Sequence, residues 1–179
     1  MKLLLRIAAF IDALNNRFGH LASGALLLSC VISCINAFVR FGFSISSNAW
    51  LEIQWYLFAM AVMLGASLVL RVNEHVRVDI VYGLLPTRGK VFIDLLGLVC
   101  FLLPVMALMA YLSFPLFLQQ FQTGEMSQNA GGLIRWPATL MLPLGFAMVC
   151  LQGLSEVIKR VGWLLHLHEM NLVYERPLQ

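Results

Sequence analysis

An all-α membrane protein with four transmembrane helices is the fold this sequence predicts, on three observations. Charge is scarce, four long stretches carry none of it, and the basic residues that remain gather on one side. Of 179 residues, 60% are hydrophobic and 12% charged, with a mean hydropathy of +0.84. Soluble domains run nearer about 25% charged. Too little polar material remains to cover a globule in water, so the solvent is lipid. The net charge of +3 is small and scattered, which argues against nucleic acid. No linker, low-complexity tract or internal repeat divides the chain, so residues 1–179 read as one domain.

The first element is residues 1–17. MKLLLRIAAFI has the basic start and apolar run of a signal peptide, but Arg6 interrupts the run and no small-residue cleavage site follows. The segment is therefore expected to be retained. Leu3, Leu4, Ile7, Ala8, Phe10, Ile11, Leu14 and Phe18 are apolar, while Lys2, Arg6, Asp12 and Asn16 lie opposite. That pattern predicts an amphipathic helix lying in the membrane interface.

Four spans follow, at 21–39, 53–70, 95–118 and 136–154, none with a formal charge. At 1.5 Å per residue, roughly 20 residues cross a ~30 Å hydrocarbon layer. Barrel strands would be about half as long and would alternate, so the spans are helices. Ser29, Ser33 and Ala37 on span 1, and Ala61 and Gly65 on span 2, recur at i,i+4 and let helices approach closely. Pro104, Pro115, Pro137 and Pro143 are expected to bend spans 3 and 4. Residues 165–179 read as a cytoplasmic tail.

Orientation follows from the basic residues. With the N-terminus inside, the inner segments hold Lys2, Arg6, Arg17, Arg71, Arg77, Arg88, Lys90, Lys159, Arg160 and Arg176, against Arg40 and Arg135 outside. Ten against two predicts an N-in, C-in chain. Trp50, Trp55 and Trp136 then mark the outer boundary and Trp163 the inner one.

Catalytic chemistry is hard to find. Cys30, Cys34, Cys100 and Cys150 all lie within spans and read as small apolar residues, not as disulfides or a zinc site. GLLPTRGK (83–90) has the wrong spacing for a phosphate-binding loop, and Val91 replaces its Ser or Thr. No catalytic, metal or cofactor residue is assigned. His20 and His75, at the same ends of spans 1 and 2, keep one alternative alive: a haem- or quinone-binding anchor of a membrane oxidoreductase.

Two polar features remain. Glu52 stands at the outer start of span 2, sharing a helical face with Asn48 and Trp55. It reads either as a carboxylate reaching the headgroups or as a polar contact to a partner helix or aqueous path. RVNEHVRVDI (71–80) packs Arg71, Glu74, His75, Arg77 and Asp79 into ten residues after eighteen without charge.

Residues 48–80, NAWLEIQWYLFAMAVMLGASLVLRVNEHVRVDI, resemble the second span and inner loop of one family, the small permease (DctQ-like) subunits of tripartite ATP-independent periplasmic (TRAP) transporters. The matching features are Trp50 and Glu52, Leu64-Gly65-Ala66, and His75, Arg77 and Asp79. GEMSQNAGGLIRWPATLMLPLGFAMVCLQGLSE (124–156) is similar to the mannitol/chloroaromatic subgroup, which includes 2-oxo-acid systems. The resemblance implies a multi-pass protein of a bacterial inner membrane, not an enzyme. Its partners would be a large permease subunit that moves an organic acid with sodium and a periplasmic substrate-binding protein that delivers it. The chain would brace the large subunit, and sodium coupling would lie in that partner. Trp50, Glu52, Gly65, His75, Arg77 and Asp79 become candidate interface or structural residues. RVNEHVRVDI is then a cytoplasmic elbow, with His75–Asp79 and Glu74–Arg77 pairing on a helical turn and Arg71 left to snorkel or dock.

Overall fold

The computed structural model describes residues 1–73 and 85–167. They form α1 (Lys2–Phe43), α2 (Asn48–Val72), α3 (Thr87–Gly97), a π turn (Leu98–Leu102), α4 (Leu103–Thr123) and α5 (Trp136–Leu164). With α3, the π turn and α4 taken as one rod, four helices are long and apolar enough to cross a membrane. The all-α fold of four spanning helices expected from the sequence is the fold observed. Each predicted span lies within its helix.

The first element differs from expectation. Residues 1–17 and span 1 are not separate helices, since α1 runs unbroken for 42 residues. Nothing between Arg17 and Leu21 stops a helix: there is no proline, and Gly19 is used for packing. A Cβ on Gly19 would collide with the Leu68 side chain of α2. The same seam places Gly65 of α2 against Ala22, whose Cβ lies 3.6 Å from where a Gly65 Cβ would be. Ser29 on α1 donates to the Gln54 carbonyl at 3.2 Å. Gly65 and Ser29 are among the small residues that the sequence suggested would let helices approach; Gly19 and Ala22 are not.

The most buried of the four is α5. It packs against α1, α2, the π turn and α4. Gly145 lets it approach Met63 of α2, and Gly153 lets it approach Leu102 and Leu103. Phe121 meets Trp136 edge-on, ring centroids 5.4 Å apart, where α4 turns back into α5. Away from these seams the helices present large apolar side chains outward, such as Phe10, Leu27, Phe38, Phe101 and Tyr111. On a chain this apolar, that surface is suited to lipid or to another membrane helix.

The prolines act less uniformly than expected. Pro137 occupies the first turn of α5, where its missing N–H costs nothing. Pro115 and Pro143 lie inside continuous helices. Pro104 follows the π turn, in which the Leu103 N–H bonds to the Leu98 carbonyl. A proline crowds the carbonyl four residues before it and offers it no donor, so widening the turn just ahead of Pro104 relieves that conflict.

Candidate functional site

Polar side chains within this apolar fold collect at its two ends. At the first end, the segment between α4 and α5 folds back on itself. Gly124 caps α4 in the left-handed conformation (φ 61°), a geometry that glycine adopts without strain. Met126 and Ile134 then form an antiparallel bridge, and Ser127 N–H bonds to the Leu133 carbonyl at 2.9 Å. This loop is clipped to the start of α2 by three residues spaced four apart, and so on one helix face. Asn48 donates to the Ala130 carbonyl at 2.9 Å, and the Tyr56 hydroxyl donates to the Ile134 carbonyl at 3.0 Å. Between them Glu52 accepts from the Ser127 hydroxyl, from Asn129 Nδ2 at 2.8 Å and from Leu133 N–H at 2.7 Å.

Glu52 is 3% exposed. Its carboxylate organises the loop between α4 and α5. Gly132 makes that possible, because a Cβ there would sit 2.8 Å from Glu52 Oε1. The third member of the face is Tyr56 rather than the expected Trp55, which is exposed. Arg135 and Glu125 pair at 2.6 Å beside the clip, both partly in solvent.

At the opposite end, α5 carries Gln152, Ser155, Glu156, Lys159 and Arg160 at offsets 0, 3, 4, 7 and 8, one polar face on a helix. Facing it is Asp12 of α1, which accepts from Gln152 at 2.9 Å, Ser155 at 2.8 Å and Lys159 at 3.0 Å. Glu156 accepts from both Lys159 and Arg160. Arg160 reaches on to Asp94 of α3 at 3.2 Å. Asn15 of α1, fully buried, donates to Gln152 at 2.6 Å, and its Oδ1 meets no donor among the described residues. Arg71, at the end of α2, donates to the Asp12 carbonyl at 3.3 Å. Four helices therefore meet in one network of alternating sign.

Lone ions are costly in an apolar medium, and hydrogen-bonded pairs of opposite charge lower that cost. The arrangement can do mechanical work: it fixes how α1, α2 and α3 sit on α5. Among the described residues, no group of three or more His, Cys, Asp or Glu could hold a metal ion.

Of the candidate residues, Glu52 is a loop anchor, Gly65 a helix contact, and Trp50 half-exposed at the start of α2. His75, Arg77 and Asp79 lie outside the described residues. Of RVNEHVRVDI, expected to be an elbow, only residues 71–73 are described: Arg71 donates to the Asp12 carbonyl of α1 and Asn73 caps α2 (φ 61°). His20, one half of the haem alternative, is exposed on α1. Sequence reasoning missed the Asp12 network. The polar face of α5 was the available signal, hidden because it begins inside the predicted span and continues beyond it.

Comparison with known proteins gives two matches. The family model described as tripartite ATP-independent periplasmic transporters, DctQ component, matches residues 29–162. A protein of Haemophilus influenzae named as a TRAP transporter small permease protein is 30% identical over 91 residues. That stretch is 49% of this chain and 56% of the relative, so the chain spans about half the relative's length. No solved structure matches.

Proposed function

The chain belongs to the DctQ component family of tripartite ATP-independent periplasmic transporters, and from that premise we propose that it is the small membrane subunit of such a transporter. It braces a large permease subunit during sodium-coupled uptake of an organic acid that a periplasmic binding protein delivers. On this reading it sits in the bacterial inner membrane with both termini inside. It is not an enzyme, carries no cofactor, and leaves sodium coupling to the large subunit. The same reading extends to the mannitol/chloroaromatic subgroup, which includes 2-oxo-acid systems, and is supported by the resemblance of residues 124–156.

The observation that carries the bracing role is the Asp12–Glu156–Arg160 network. Its charges are engaged with one another and with neighbouring helices, tying α1, α3 and α5 together. A carrier site needs polar groups that exchange partners with a cargo. These groups hold helices instead. Large apolar faces on α1 and α4 remain available to a partner membrane protein.

The test is reconstitution. The chain alone in liposomes should accumulate no organic acid under a sodium gradient. Uptake should appear once the large subunit and loaded binding protein are added. Gradient-driven uptake by the isolated chain would overturn the bracing role. In cells, Arg77→Ala and Asp79→Ala should lower recovery of the large subunit in pull-downs, with uptake falling in proportion. Full recovery without transport would instead mark those residues as part of a transport site.

A further inference from the structure

At the end of the bundle that holds the Glu52 clip, an open groove of about 500 Å³ lies between α1 and α2. Its rim is polar: Ser33, Asn36 and Arg40 from α1, and Gln54 from α2. Its walls are apolar, with Phe41 and Leu51 among them. Arg40 is exposed and takes part in no ion pair among the described residues. It comes directly after the uncharged run 21–39, so it stands where hydrocarbon gives way to headgroups.

We infer that this groove binds one phospholipid, with the phosphodiester on Arg40 and an acyl chain along Leu51 and the α1–α2 seam. Three observations favour that occupant. First, an unpaired guanidinium at headgroup depth meets phosphate oxygens as its nearest anions, and planar bidentate pairing with phosphate is what arginine does well. Second, Asn36 places a side-chain amide at the same rim, and Gln54, whose Nε2 already donates to the Trp50 carbonyl at 3.0 Å, keeps a second N–H for ester or phosphate oxygens. Third, Phe38, Phe41, Phe43 and Ile45 crowd this end, all strongly exposed, with Phe41 at 93%. Such a surface is stable against acyl chains and poorly so against water.

The helix ends do not decide the matter. The end of α1 and the start of α2 lie side by side, so their opposite partial charges largely offset. The guanidinium sets the sign. A free phosphate ion fits less well, since one arginine offers it little beyond its hydration and the apolar walls offer it nothing.

The test uses the full chain, purified in detergent and examined by native mass spectrometry with added phosphatidylglycerol. The control lipid is a diacylglycerol of the same chains, which lacks the phosphate. One phosphatidylglycerol per chain should be retained, and the diacylglycerol should not. Arg40→Gln should reduce retention about tenfold, the loss expected for a charged hydrogen bond. Leu51→Trp, which fills the groove and leaves Arg40 in place, should reduce it comparably. Arg17→Gln, at an exposed arginine near the other end of α1, should leave it unchanged. Equal retention of diacylglycerol, displacement of the lipid by inorganic phosphate, or full retention by either groove variant would each overturn the assignment. If Arg40→Gln fails to fold, Leu51→Trp and the diacylglycerol comparison decide.

Discussion

The two ends of the bundle each keep carboxylates out of water, by opposite means. Glu52 is surrounded by neutral donors, namely a hydroxyl, an amide and a backbone N–H, while the nearby Arg135 is engaged with Glu125. Asp12 and Glu156 instead alternate with Lys159 and Arg160, and Asp94 closes the chain. Neutral donors are directional, each aimed at one lone pair, so the Glu52 end can order a twelve-residue loop (124–135) in a single geometry. Ion pairs reach further and share partners, so the Asp12 end can span three helices that differ in distance and angle. One end shapes a loop; the other sets the helix arrangement.

The comparison predicts an order of effects. Arg160→Met should be the most damaging change, because it removes the cation that pairs with both Glu156 and Asp94 in a largely buried site. Breaking such a pair costs about 3–5 kcal/mol, readable as a lowered unfolding midpoint in detergent. Adding Glu156→Gln to it should restore part of the loss. If the double variant is no more stable than the single, the network is not electrostatically coupled.

Glu52→Ala comes next, at about 1–3 kcal/mol, because the Ser127, Asn129 and Leu133 donors all lose their acceptor. Its signature should be local. Trypsin should cut after Arg135 faster than in the parent chain, while the helices unfold nearly together as before. Global loss without faster cleavage would mean that Glu52 holds α2 rather than the loop. Tyr56→Phe removes one hydrogen bond from the same clip and should cost about 1 kcal/mol, again with faster cleavage. Smallest of all is Arg135→Gln, within about 0–1 kcal/mol, because its pair with Glu125 is roughly 40% exposed on both sides. Were its effect to match that of Glu52→Ala, the clip would be ionic and the contrast between the two ends would fail.

Much of the fold was legible because lipid imposes a simple rule: an uncharged run of 18 or more residues has few places to go but across the membrane. Small residues such as Gly65 also announced their role, since close helix approach needs them. The polarity change after Arg17 marks no helix boundary, since α1 continues through it. A change in polarity along a chain is not a break in its backbone, and without a proline or an exposed glycine the helix continues. Asp12 shows where sequence runs out. Periodicity puts it on a polar face, but its partners Gln152, Ser155 and Lys159 lie about 140 residues away. Periodicity tells which side of a helix is polar and is silent about which helix that side meets. The Glu52 face failed in a smaller way: positions 55 and 56 are both near the stripe, and the choice between them rests on where a carbonyl of the loop happens to lie.

The π turn at Leu98–Leu102 has a consequence for insertions and deletions. The residues that α3 and α4 turn toward α5 run Val91, Asp94, Leu98 and then Leu102 and Leu103, and the wide turn lets that series continue across a step of five. Removing one residue from 99–101 would restore regular helix and leave hydropathy almost untouched. The turn of five would become a turn of four, about 400° of regular helix, so the faces before and after it would stay nearly in phase and Asp94 would still meet Arg160. Removing a residue from the regular helix of α4, with the π turn kept, would instead rotate what lies beyond the cut by about 100°. Two deletions that composition cannot tell apart would thus part in outcome, one absorbed by the wide turn and the other throwing the faces out of phase.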